Sequence, residues 1–117
     1  MASATHRDQR GQTVTVAIEL SKELFKANLR TVFHFSLGEA GKRDLELMEV
    51  TLGKTDPRYE TFSLMFRGAR EEHLEQRTYD VNHDAIGEFP LFITAVERND
   101  AGTFYEAVFN RLLRAEG

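Results

Sequence analysis

Short runs in which apolar and polar residues alternate make up most of the chain. The clearest run is residues 61–67, where Phe62, Leu64 and Phe66 share one face of a strand. Turn-forming residues separate this run from similar ones that begin near Val32, Leu45, Tyr79 and Phe89. The pattern predicts a mainly β fold, a small antiparallel barrel or sandwich of about six or seven strands.

Two of these runs depart from simple alternation. In residues 45–52 the inward phase changes near Leu47 and Met48, which predicts a β-bulge or a bend. The run from Phe89 to Val96 is apolar on both faces. That pattern is typical of a central strand or of a strand covered by a partner.

One helix is expected before the strands begin. Ser21 is a good N-cap residue, and Glu23 puts negative charge in the first turn. Leu20 and Phe25 occupy the two positions of a hydrophobic staple. These signals predict a short helix over residues 22–28.

The closing segment from Tyr105 to Leu113 fits two structures. Its apolar residues recur at helical spacing, as on an amphipathic helix. The same residues also alternate from Thr103 to Asn110, as in a closing strand.

Composition limits the class of protein. A chain of 117 residues forms one domain, which we expect at residues 13–110, between a disordered or partner-dependent arm at 1–12 and a tail at 111–117. The net charge of −4, with no basic cluster, argues against nucleic-acid binding. No membrane-spanning run and no secretory signal is present, so we expect cytoplasmic synthesis and no membrane partner.

No motif in the chain indicates catalysis, a cofactor or a metal. The stretch from Asp80 to Asp84 begins like a calcium loop, but Ala85 and Leu91 stand where that loop needs Gly and Glu. Cysteine is absent, and the four His residues lack the spacing of zinc ligands. We therefore expect a protein that is not an enzyme and that holds neither cofactor nor metal.

The last strands carry apolar residues on the face opposite the core, and these residues give the leading functional hypothesis. They predict a non-enzymatic structural or protein-interaction module that self-associates or docks into a larger assembly. The candidate contact residues are Phe92, Phe104, Val108, Leu112 and Leu113. The alternative is a ligand-binding or enzymatic barrel with a mouth lined by Tyr59, His83 and Tyr105.

The order of several motifs resembles an uncharacterised family of small bacterial β-rich domains, known as a domain of unknown function. The matching pieces are Leu20-Ser-Lys-Glu-Leu-Phe25, Thr61-Phe-Ser-Leu-Met-Phe-Arg-Gly68, Thr78-Tyr-Asp-Val-Asn-His83, Ile86-Gly-Glu-Phe-Pro-Leu-Phe-Ile93 and Tyr105-Glu-Ala-Val-Phe-Asn110. The resemblance covers about residues 18–110 and implies that the last piece is a strand. It also implies an assembly role, since members are encoded near phage-tail-collar-like proteins. The family's Gly after the helix is replaced by the sequence Leu29-Arg-Thr31.

Overall fold

The computed structural model describes residues 2–7, 13–18, 20–54 and 56–112, and in the first two ranges the backbone alone. These residues contain one α-helix, α1 (Lys22–Lys26), one short 3-10 helix (Gly38–Ala40) and eight strands. The strands are β1 (Ala2–Arg7), β2 (Thr13–Ile18), β3 (Val32–Ser36), β4 (Lys42–Leu52), β5 (Tyr59–Gly68), β6 (Arg77–His83), β7 (Gly87–Asn99) and β8 (Gly102–Leu112).

Six of the strands close into an antiparallel barrel in the order β3-β4-β5-β8-β7-β6, which confirms the mainly β prediction. β1 and β2 form a separate two-stranded sheet, paired from Ala2 with Ile18 to Arg7 with Thr13. Part of the predicted arm, residues 8–12, lies outside the described residues. The predicted tail begins inside β8, and residues 113–117 also lie outside them.

The helix starts where the capping signals place it. The Ser21 hydroxyl accepts a hydrogen bond from the Leu24 amide at 3.2 Å, so it satisfies one of the open donors of the first turn. Leu20 and Phe25 are both buried, as the staple requires. The helix ends at Lys26, two residues earlier than predicted.

The Phe25 side chain closes one end of the barrel. It is fully buried, and its ring centroid lies 5.3–6.3 Å from four other rings, those of Phe33, Phe62, Phe89 and Phe109. These rings belong to four different strands, β3, β5, β7 and β8. A single helical side chain therefore holds together strands that are distant in the sequence.

Two bulges bend long strands around the barrel. The predicted phase change in β4 is confirmed, because its register with β5 shifts between Leu47 and Glu49. A second shift, between Ala95 and Glu97, interrupts the pairing of β7 with β8. Sequence alternation did not indicate this second bulge.

The loop between β5 and β6 is held more firmly than its charge suggests. The charged run of residues 68–76 predicts a solvated loop, but Leu74 is buried in the core. The Tyr105 hydroxyl accepts a hydrogen bond from the Leu74 amide at 3.0 Å and donates one to the Glu72 carbonyl at 3.3 Å. The closing strand thus fixes this loop over the second end of the barrel.

The closing segment is a strand. Tyr105 and Ala107 are buried, and Tyr105 pairs with Phe66 of β5 and Ala95 of β7. Gly102 begins this strand with φ 147°, and a Cβ there would lie 2.4 Å from the Gly68 carbonyl oxygen. The tight turn between β7 and β8 therefore requires glycine at this position.

The chain leaves the helix through a residue in the left-handed conformation. Arg30 has φ 66° and donates its amide to the Leu47 carbonyl at 2.8 Å. A left-handed conformation costs a non-glycine residue about 1–2 kcal/mol.

Replacing Tyr105 by Phe will destabilise the loop between β5 and β6. The Leu74 amide would lose its acceptor in a buried place, so we expect the free energy of unfolding to fall by about 1–3 kcal/mol. The Leu74 amide will also exchange its hydrogen faster, as measured by NMR. The matched variant Tyr79→Phe removes a hydroxyl that donates to the carbonyl of the exposed residue Glu75, and should cost less. Equal losses would contradict this account.

Replacing Arg30 by Gly will stabilise the protein. The relief of the left-handed strain exceeds the entropy that glycine adds to the unfolded chain, by about 0.5–1 kcal/mol. Chemical denaturation measures the gain. Arg30→Ala keeps the strain, so a similar gain in that variant would show that the conformation is not its source.

Candidate functional site

The candidate contact residues that the structure describes lie on the outside of the barrel. Val108 is 67% exposed, Leu112 68% and Phe92 50%, while Phe104 is half-buried. Leu113 lies outside the described residues. Alternation along β8 explains this placement, because Tyr105 and Ala107 point into the core and their neighbours point away from it.

Two further apolar side chains extend this surface. Tyr59 pairs with Leu112 across β5 and β8 and is 39% exposed. Val96 is 48% exposed within the bulge of β7. Phe92, Val96, Val108, Leu112 and Tyr59 are called the outer apolar face from here on. The sequence could have indicated Val96, because it lies four residues after Phe92 and alternation puts both side chains on the same face.

In the described ladders, a seam between β7 and β8 runs through the outer apolar face. The ladder between β7 and β8 ends at the pair Thr94 and Glu106. Beyond that pair, the described ladders join residues 87–93 of β7 to β6, and residues 107–112 of β8 to β5. The rings of Phe25, Phe89 and Phe109 fill the interior behind the seam.

Charged side chains secure the helix beside this seam. The Glu60 side chain is only 10% exposed, and one of its oxygens accepts a hydrogen bond from Arg111 of β8. Its other oxygen lies 3.8 Å from the Lys22 ammonium of α1. The carboxylate therefore links β5, β8 and α1. Two positive charges attract it at a place from which solvent is largely excluded.

The structure does not bring the alternative site residues together. Tyr59 begins β5, whereas Tyr105 pairs with Phe66, seven positions further along. At about 3.3 Å per residue, this separation is about 23 Å along the strand. Tyr105 and His83 are both buried, and aromatic and aliphatic side chains fill the barrel between them. A shared site at one mouth is therefore not formed.

His83 has a structural position beneath the turn between β6 and β7. Its Nδ1 accepts hydrogen bonds from the amides of Ala85 at 3.0 Å and Ile86 at 3.3 Å. Because Nδ1 is an acceptor, the proton lies on Nε2, which donates to the Thr31 hydroxyl at 2.7 Å. The Thr31 hydroxyl donates in turn to the Asn28 carbonyl at 2.6 Å. His83 thus ties the helix exit to the barrel rim.

Burial lowers the pKa of His83 below its ordinary value of 6.5. The nearby Asp84 raises the pKa and His34 lowers it, but both effects are smaller than that of burial. The hydrogen bonds act in the same direction as burial, because protonated Nδ1 would meet two amide donors. The neutral ring is therefore the form that fits the fold.

A polar groove lies on the outer surface along β3, β6 and the first residues of β7. It has a volume of about 500 Å³, and its lining includes His34, Lys42, Asp80 and Glu88. His34 Nδ1 lies 2.6 Å from a carboxylate oxygen of Asp44. Among the described residues, no three His, Asp or Glu side chains are grouped so that they could hold a metal ion. The lining side chains are largely exposed, so the groove offers polar contacts but little exclusion of water.

Replacing His83 by Asn will reduce the sensitivity of the fold to acid. A histidine whose pKa is lowered in the folded state contributes fully to the stability of the fold above about pH 6.5. This contribution is lost as the pH falls below that value. Asn can still accept the Ala85 amide but loses the bond to Thr31, so we expect a cost of about 1–3 kcal/mol at pH 8. Urea denaturation between pH 8 and pH 5 should show a shallower decline in the variant.

The control for this experiment is His73→Asn in the loop between β5 and β6. It should keep the pH dependence of the wild-type protein, because His73 lies outside the His83 network. An H83N variant that declines with pH as steeply as the wild type would contradict the assignment.

Comparison with known proteins identifies the family without adding a biochemical role. Within the described residues, no helix is long and apolar enough to cross a membrane. No curated protein and no solved structure matches the chain. One family model matches residues 20–109, the helix and almost the whole barrel, and confirms the resemblance to an uncharacterised domain family. The chain belongs to the DUF6916 family, a domain of unknown function.

Proposed function

We propose that the protein is a non-enzymatic structural or interaction module that docks through its outer apolar face, either onto its own copies or into a larger assembly. The observation that carries this proposal is the exposure of Phe92, Val108 and Leu112 on neighbouring strands. Large apolar side chains grouped on one surface mark contact sites in soluble proteins.

The energetics favour a contact surface over a structural role for these side chains. Burying one large apolar side chain contributes about 1.5–3 kcal/mol, and Val108 and Leu112, which are 67% and 68% exposed, leave most of that free energy unused. Several such side chains together can supply the core of an interface. Polar neighbours such as Thr61 and Asn110, whose side chains bond at 3.1 Å, provide its rim.

The family resemblance suggests the kind of assembly. It implies gene neighbours that are phage-tail-collar-like, and on that association we propose a structural role in a phage-tail-like assembly. A β-barrel with a filled interior suits such a role, because it presents a rigid outer surface.

A ligand-binding or enzymatic barrel remains the second candidate, now with a different location. The interior is filled, so a small ligand would have to bind the polar groove that contains His34 and Lys42. The outer apolar face has stronger support, because apolar exposure costs free energy whereas polar exposure does not.

The double substitution Val108→Lys and Leu112→Lys will weaken association. Both side chains are exposed, so we expect the free energy of unfolding to change by less than about 0.5 kcal/mol. Self-association, measured by light scattering over a concentration series, should weaken at least tenfold. If the wild type is monomeric, the readout is the loss of a partner identified by pull-down from the native host.

Asn82→Lys is the matched control. Asn82 is exposed on β6 and pairs with His34 of β3 and Glu88 of β7, away from Val108 and Leu112. This variant should associate as the wild type does. A wild-type protein that is monomeric at all concentrations and loses no partner in the double variant would refute the proposal.

A further inference from the structure

We propose that the polar groove binds a neutral ligand with several hydroxyl groups, a short saccharide. This inference goes beyond the proposed docking role and does not depend on it. The lining of the groove comes from β3, β4, β6 and β7, whereas Val108 and Leu112 belong to β8. The shape of the groove, its free polar groups and the charges of its two walls support the proposal.

The groove opens where the pairing of β3 with β6 stops. The described ladder between these strands ends at the pair Phe35 and Val81, and Ser36 and Asp80 follow on the two walls. Val81 and Phe89, which are both buried, form the floor. The volume of about 500 Å³ lies within the range of small-molecule sites, about 300–1,000 Å³. A short saccharide therefore has room in the groove.

Outward side chains of four strands form a polar row across the groove. His34 pairs with Asp44 of β4 and with Asn82 of β6, and Asn82 pairs in turn with Glu88 of β7. The Asp44 carboxylate lies 2.6 Å from Nδ1 of His34 and can only accept, so Nδ1 carries the proton. In the neutral ring, Nε2 is then an acceptor that is directed away from Asp44. Register and one hydrogen bond thus fix the direction of the His34 ring.

Four polar side chains of the lining are free to bind a ligand. Within the described part of the chain, the side chains of Lys42, Asp80, Asn82 and Glu88 have neither a hydrogen-bond partner nor an ion-pair partner. Lys42 lies on β4 and Asp80 on β6, on opposite sides of β3, so these two opposite charges do not neutralise each other. Their donors and acceptors are available to a molecule that lies between them.

The charges of the two walls favour a neutral ligand. Lys42 would repel a cation, and Asp80 and Glu88 would repel an anion. A zwitterion could match both walls, but ion pairs at exposed side chains contribute little. A hydroxyl group can donate to a carboxylate and accept from an ammonium, and such charge-assisted hydrogen bonds are about twice as strong as neutral ones. A saccharide carries several hydroxyl groups of this kind.

Pro90 supplies the apolar contact that the C–H face of a sugar ring requires. It is exposed, and it pairs with Asp80 across β6 and β7. A rigid apolar ring and a free carboxylate therefore lie side by side, and the proline ring has no rotamer entropy to lose on binding. On the other wall, the Ser36 hydroxyl accepts a hydrogen bond from the Gly38 amide at 3.2 Å, so its own proton remains available to a ligand.

NMR titration of the ¹⁵N-labelled protein tests the site. The probes are maltose, cellobiose, lactose and N,N′-diacetylchitobiose. We expect at least one of them to shift the amide signals of Ser36, Asp80, Asn82 and Glu88, with a Kd on the order of 1 mM. The proposal is wrong if none of the four probes shifts these signals at about 50 mM, or if the shifts spread evenly over the protein surface.

Asp80→Asn should weaken the binding of that disaccharide at least tenfold, because it removes a charged acceptor and leaves the size of the side chain unchanged. The matched control is Glu49→Gln, which removes the same charge from an exposed residue of β4 outside the groove. It should bind as the wild type does. Equal affinities of the two variants would contradict the assignment. If Asp80→Asn lowers the denaturation midpoint, Glu88→Gln takes its place.

Titrations with other probes separate the ligand classes. Sodium phosphate, spermidine and 4-aminobutyrate represent anions, cations and zwitterions. Stronger binding of any of them at the same amides than of every disaccharide would overturn the neutral class. Maltohexaose beside maltose separates the two sources of a saccharide, since a segment of a polysaccharide should bind more tightly than a free disaccharide.

The outcomes keep this inference apart from the proposed function. The V108K/L112K variant should bind the disaccharide as the wild type does, whereas Asn82→Lys places a long side chain in the groove and should lose that binding without losing association. If V108K/L112K weakens association but no disaccharide binds, the saccharide site is wrong and the docking role stands. If a disaccharide binds while the wild type is monomeric and loses no partner in V108K/L112K, the docking role is wrong and the saccharide site stands.

Discussion

The packing of Phe25 against four rings is the interaction on which the rest of the structure depends. The ring lies inside the barrel end and contacts side chains of β3, β5, β7 and β8. The described ladder between β7 and β8 runs only from Asn99 and Gly102 to Thr94 and Glu106, so buried aromatic area contributes to closing the remainder of that side. Ser21 and the Lys22–Glu60 contact fix the helix that carries this ring.

The shortness of that helix explains the structure of the chain that follows it. A helix of five residues ends before the chain has reached β3, so the exit must turn sharply at Arg30, with φ 66°. The neutral His83 ring holds this exit through Thr31 and at the same time supports the turn between β6 and β7. The aromatic closure and the histidine network therefore stabilise the same end of the barrel, and acid weakens the second of them.

The sequence predicted local structure well and long-range placement poorly. Phe62, Leu64 and Phe66 showed their strand because alternation is a local property, and the N-cap Ser21 is equally local. Leu74 looked like part of a solvated loop, since its burial depends on Tyr105, about thirty residues away. The sequence could not show whether Tyr59, His83 and Tyr105 share one end of the barrel. The register of the strands decides which end each residue occupies.

The closing strand shows how the fold and the candidate surface follow from one choice. As a helix, residues 105–113 would place Tyr105, Val108 and Leu112 on one buried stripe. As a strand, they bury Tyr105 and Ala107 and turn Val108 and Leu112 outward. The helical spacing is thus a coincidence, because it combines inward-facing and outward-facing apolar residues of one strand. The inner set completes the core, and the outer set is left without a structural task in the isolated barrel. That division is the reason for proposing the outer apolar face as a contact surface.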